Sequence, residues 1–128
     1  MIVDSSAIVA VLLRQPGYEP VLDRLAAEAG AGVGTAALAE SGIVLTARIG
    51  DRARTLLARF VDEADLIPIP FGDEHWQVAI DAYARFGKGR HAAALNFGDC
   101  LTYATARVAD EPLLCLGDDF AKTDLALT

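Results

Sequence analysis

The chain has 128 residues, 53% of them hydrophobic, which is enough for one sizeable core and too many for a disordered chain. A formal net charge of −7 excludes the ordinary basic nucleic-acid binder, which grips phosphate through surface charge. It leaves room for an enzyme acting on nucleic acid, because clustered carboxylates can hold a cation instead of repelling a strand.

Ile2 and Val3 read as a buried strand, followed by a short helix from about Ser6 to Leu13. Gln15-Pro16-Gly17 breaks that helix, and Pro20 suits the first turn of a second one ending near Ala29. Gly30 to Gly34 turns into a weak strand, after which Thr35 caps a helix from Ala36 to Ile49 that stops at Gly50. Asp51 opens the next helix, with Ala53, Leu56, Leu57, Phe60 and Val61 on one face. Leu66 to Phe71 is a strand whose two prolines demand an edge position. Gly72 and Asp73 start a helix reaching Phe86, "GKGRHAAALNFG" is a loop, and Asp99 to Val108 is helical again. Pro112 to Leu116 forms the last buried strand, and "GDDF" follows it.

Strands alternating with helices predict an α/β fold: one domain over residues 1–128, its short, mostly parallel central sheet flanked by helices on both faces. The longest apolar run near the N-terminus is about seven residues, against the ~20 that span a bilayer. No basic segment with a cleavage site is present, so the expected location is the cytoplasm. Cys100 and Cys115 lack CxxC spacing and read as two reduced thiols.

The acids carry the chemistry. Asp4 interrupts an apolar run, where an uncompensated charge is costly. It is either a helix N-cap or a functional ligand. In open α/β sheets ligands bind beyond the carboxyl ends of strands, and both Asp4 and the pair Asp118 and Asp119 fall there. Glu40 lies in the second turn of its helix among small and apolar neighbours, and Asp99 stands at a helix start after Gly98. Singly, each has a structural explanation as a cap, a solvated face or an Asx turn. Gathered together they repel, and must share protons or a cation. An all-oxygen set suits Mg²⁺ or Mn²⁺, while His75 and His91 lack the spacing of zinc ligands.

The stretches "MIVDSSAIVAVL", "ALAESGIVLTARIG", "GKGRHAAALNFGDCLTYATA" and "PLLCLGDDFAKTD" resemble, in this order, the PIN-domain ribonuclease toxins of the VapC type, the toxic halves of bacterial toxin–antitoxin pairs. The resemblance implies a PIN-like fold and Mg²⁺-dependent hydrolysis of RNA, with Mn²⁺ as a substitute ion. It puts Asp4, Glu40 and Asp99 on three acidic metal-site positions, with the fourth at Asp118 or Asp119. Asp4 and Asp99 would bind the metal directly; Glu40 and the "GDDF" acid would hold a second ion or orient water. Ser6 falls where the family has a hydroxyl that helps hold the first Asp. The resemblance also implies a homodimer and a cognate antitoxin, for which the apolar faces around Ile43, Val44, Phe60 and Trp76 offer surface. Lys88, Arg90 and His91 form the one compact basic stretch, expected to meet the RNA backbone.

Two other enzymes that place an Asp at a strand end fit less well. A haloacid dehalogenase-type phosphatase needs a second Asp where Ser6 stands, and a receiver domain needs a late strand-end Lys that "PLLCLGDD" lacks. The rival of a different class is a catalytically silent PIN-like binding module.

Overall fold

The computed structural model describes residues 1–128. Its order is β1 (Ile2–Val3), α1 (Ser5–Leu13), α2 (Tyr18–Ala27), β2 (Gly32–Gly34), α3 (Thr35–Ile49), α4 (Ala53–Glu63), β3 (Ile67–Ile69), α5 (Asp73–Phe86), α6 (Phe97–Ala109) and β4 (Leu113–Leu114). The four strands make one sheet in the order β3-β2-β1-β4, and every pairing is parallel. Ile2 registers with both Gly32 and Leu113, which puts β1 at the centre.

Alternation along a strand sends neighbouring residues to opposite faces. Val3 therefore joins Val33, Leu114 and the buried residues of α1 to α4, including Ile8, Leu25, Leu45 and Leu57. Ile2 and Leu113 face the other way, into a second core with Ala82 and Phe86 of α5 and Tyr103 of α6. The expected α/β sandwich, helices on both faces of a parallel sheet, is what these residues build. Parallel strands buried on both sides need no polar alternation, which explains the bare apolar runs of the sequence.

Element ends differ from the sequence reading for local reasons. The third helix starts at Thr35 itself; the Thr35 hydroxyl is no cap but accepts the Phe71 N–H at 3.2 Å, tying α3 to the segment after β3. Asp51 lies in a 3-10 turn, Gly50–Arg52, and α4 begins only at Ala53. The sixth helix begins at Phe97, because Asn96 and not Asp99 occupies its N-cap. The proline-bearing β3 does lie at an edge. The opposite edge, β4, is covered by the C-terminal segment: Leu113 N–H donates to the Ala126 carbonyl at 2.9 Å and Thr128 N–H to the Leu113 carbonyl at 3.0 Å. No helix is long and apolar enough to cross a membrane.

The topology fixes where a ligand would sit. From β1 the chain moves outward to β2 and β3 on one side, then returns through α5 and α6 to β4 on the other. The crevice beyond the carboxyl ends of β1 and β4 is the switch point of the sheet.

Candidate active site

Asp4 follows β1 directly and is 4% exposed. Its carboxylate caps α1, with Oδ2 accepting the Ser6 N–H at 3.0 Å, which offsets its burial with a hydrogen bond and the positive end of the helix. No protein donor bonds Oδ1. Cap and candidate ligand are thus two oxygens of one side chain.

The N-terminus of α6 repeats the arrangement. Asn96 Oδ1 accepts the Asp99 N–H at 2.9 Å while Asp99 Oδ2 accepts the Asn96 N–H at 3.0 Å, a reciprocal capping box that again leaves one carboxylate oxygen unbonded. Glu40 of α3 is held by the Ser5 hydroxyl, which donates to Oε1 at 2.7 Å. Its carboxylate lies on the Gly98 backbone, where an added Cβ would stand 2.5 Å from Oε2. Three acids from three elements are each anchored through one oxygen, with the other oxygen free.

Their charges act on one another. Asp99 is pushed up to about 6, first by burial and then, against the pull of the Asn96 N–H, by the negative charges of Asp4, Asp119 and Glu40. Burial, then Asp4, Asp119 and Asp99, drive the neighbouring Cys115 thiol up to about 11, so it is an inert thiol beside the acids. No Lys or Arg forms an ion pair with any of these carboxylates. Between the two "GDDF" acids, Asp119 is the one whose charge reaches Asp99 and Cys115. Asp118 is also exposed, and its main-chain carbonyl accepts the Ala121 N–H at 3.2 Å in the turn that follows.

Ser6 plays a part other than the expected one. Its backbone N–H, not its hydroxyl, binds Asp4; the hydroxyl oxygen accepts the Leu116 N–H at 2.9 Å and so fastens the start of α1 to the exit of β4. Lys88, Arg90 and His91 are exposed on the loop after α5, outside the group of charges that act on Asp99. Arg90 Nε donates to the Ala84 carbonyl at 3.2 Å, and the His91 ring meets Phe86 edge-on at 5.2 Å. Of the four apolar residues named for partner contact, Ile43, Val44 and Trp76 are exposed, whereas Phe60 packs partly buried against the first core. Sequence reading missed Ser5 and Gly98 as the supports of Glu40. It also missed the Asn-x-x-Asp spacing of the α6 capping box, which was visible as a motif.

No three of the chain's His, Cys, Asp and Glu side chains converge tightly enough to enclose an ion. That agrees with Mg²⁺, which keeps several waters and takes one or two carboxylates plus substrate phosphate. Asp4 and Asp99, each with a free oxygen at the switch-point crevice, fit such an ion.

The sequence profile of the PIN domain family matches residues 1–125. The chain is 47% identical to ribonuclease VapC36 of Mycobacterium tuberculosis over 98% of its own length and 91% of that protein. Its fold superposes on Mycobacterium tuberculosis VapC20, described as a sarcin-ricin loop cleaving toxin, with a TM-score of 0.79 at 18% identity, covering 99% of this chain and 97% of the other. A toxin–antitoxin complex from Klebsiella pneumoniae aligns with a TM-score of 0.71 at 15% identity, covering 99% and 95%. The chain therefore belongs to the PIN-domain family and, within it, to the VapC ribonucleases.

Proposed function

We propose that this ribonuclease is the toxin of a type II toxin–antitoxin pair, and that it hydrolyses RNA phosphodiester bonds with Mg²⁺ held by Asp4 and Asp99. Mn²⁺ substitutes for Mg²⁺, and residues 1–128 work as one PIN domain. The observation that carries the reading is the arrangement of Asp4, Glu40 and Asp99, each anchored through one oxygen with no cationic side chain to neutralise it. A bound divalent ion supplies charge to the scissile phosphate and lowers the pKa of an attacking water.

The protein's own work is positioning. The two capping interactions hold the Asp4 and Asp99 carboxylates at fixed angles, which avoids reorganisation when charge develops. Glu40, set by Ser5, and Asp119 orient the water or accept its proton through the oxygens left free. Lys88, Arg90 and His91 hold the RNA backbone away from the acids, where a basic contact positions the strand without reading its sequence. The antitoxin partner is carried over from the toxin–antitoxin neighbour, and membership of the VapC group supports reading the protein as a cytoplasmic homodimer.

The test is cleavage of a mixed RNA pool. Wild type should cut RNA, a chelator should abolish cutting, and added Mg²⁺ should restore it. Cleavage that survives chelation removes the metal from the mechanism. A metal-loaded wild type that binds RNA and never cuts it is the silent binding module.

A further inference from the structure

The turn that ends α1 carries one side chain without a task. Gln15 opens the Gln15-Pro16-Gly17 break, and its main chain is held from both sides. Its N–H donates to the Ala10 carbonyl at 2.9 Å, and its carbonyl accepts the Tyr18 N–H at 3.1 Å. Arg14 before it is left-handed, with φ 51°. Gly17, with φ 92°, lies so close to Leu116 that an added Cβ would stand 3.0 Å from Leu116 Cδ1. The turn is thus set firmly against the exit of β4. The half-buried side-chain amide of Gln15, by contrast, bonds to nothing in the protein.

Gln15 lines a cavity of about 320 Å³ that also takes in Glu40 and Ser5. Small-molecule sites run from ~300 to 1,000 Å³, so this one has room for a single nucleoside-sized group. Val9 and Val44 give it apolar sides that suit the faces of a flat ring. At the acid end the polar groups are already engaged. The Ser5 hydroxyl donates to Glu40 Oε1 at 2.7 Å, and the Ser6 hydroxyl oxygen accepts the Leu116 N–H at 2.9 Å. Gln15 alone brings an amide, a donor and an acceptor side by side, which is the pattern that pairs with a base edge. Proteins read single-stranded RNA in this way, seating an unstacked base and hydrogen-bonding its edge.

We infer that this cavity seats the base of a nucleotide flanking the scissile phosphate, and that the Gln15 amide selects that base by hydrogen-bonding its edge. The inference rests on the reading of Glu40 as part of the RNA-cutting site. Selection here is separate from the contacts of Lys88, Arg90 and His91, because contacts to the backbone carry no sequence information.

The experiment digests a randomised pool of single-stranded RNA with wild type and with Gln15→Ala and sequences the ends produced. Mn²⁺ titration and thermal melting of both proteins accompany it. Wild type should favour one base about tenfold at a fixed position beside the cut, a discrimination that one paired amide can supply. Gln15→Ala should lose the preference at that position and keep wild-type Mn²⁺ affinity. The preference is a ratio within one digest, so partial unfolding cannot imitate its loss. An equal preference in both proteins overturns the inference and leaves the cavity to another occupant, such as the antitoxin chain. So does a wild type that cuts with no base preference beside the cut. A folded Gln15→Ala that binds Mn²⁺ and cuts nothing overturns it too, since Gln15 would then serve catalysis and not selection. A wild type that cuts no RNA overturns the reading of the acids on which the inference stands.

Discussion

Asp4, Glu40 and Asp99 are each anchored through one carboxylate oxygen and keep the other free, and the division decides how variants should behave. The sequence posed cap and ligand as alternatives for Asp4, yet the carboxylate caps α1 through Oδ2 and leaves Oδ1 free. Residue type alone cannot show such a division, because it depends on where the neighbouring N–H points. Glu40→Gln keeps an oxygen that can accept from Ser5, so we expect its melting temperature to stay within about 3 °C of wild type while RNA cleavage is lost. A large fall in melting temperature would make Glu40 a structural partner. Gly98→Ala tests the same site from the other side. The new methyl would meet the end of the flexible Glu40 side chain, 2.5 Å from Oε2, so the carboxylate moves and the fold survives. Displacing a catalytic group by about an ångström can cost about 100-fold in rate. We expect a loss of that order in RNA cleavage with little change in melting temperature. Full activity in Gly98→Ala would mean that the seat of Glu40 is irrelevant.

At the scale of elements, most of the fold was readable and most of the ends were not. Apolar runs and breakers located the four strands and six α-helices, whereas the start of α6 was set by Asn96, three residues before Asp99. The segment after "GDDF" has no periodicity, and its role is tertiary: it pairs with β4 and sends Asp124 between α5 and α6. Asp124 lies 3.0 Å from Arg85 and 2.9 Å from Arg107, and accepts the Tyr103 hydroxyl at 2.7 Å. Burial alone would raise this carboxyl, but the hydroxyl and the two guanidinium groups outweigh it and hold Asp124 below the ordinary aspartate value. A lowered folded-state pKa means stability that is fully present above the unfolded value, about 3.9, and lost as pH falls through the lower folded one. Asp124→Asn should therefore melt below wild type at neutral pH, and the gap should close as the pH is lowered past about 4. Melting curves across that range check it, and a gap that stays constant in acid would show that the ion pairs contribute nothing.

At the scale of the molecule, a sheet with a core on each face brings acids distant in sequence to one crevice. The candidate site was legible because strand ends and helix starts in a parallel sheet share one edge. What was not legible is support from elsewhere, such as Ser5 beneath Glu40 or Ser6 reaching Leu116, since those bonds exist only once α1, α3 and β4 are packed. With a net charge of −7, RNA approach depends on exposed cations, and Lys88 and Arg90 are two of them. Replacing Lys88 and Arg90 by Ala in an Asp4→Asn background should weaken RNA binding alike for different sequences. It should also flatten the salt dependence by roughly 0.7 for each phosphate no longer neutralised; an unchanged slope would make the loop a solvated one. The most direct test of the account is calorimetric titration of Mn²⁺ and Mg²⁺ into wild type, Asp4→Asn and Asp99→Asn. Asparagine preserves both caps through its side-chain oxygen and removes only the charge, so the fold stays and the ligand goes. The account predicts ion binding by wild type and much weaker binding by each variant; equal binding by all three proteins would contradict it.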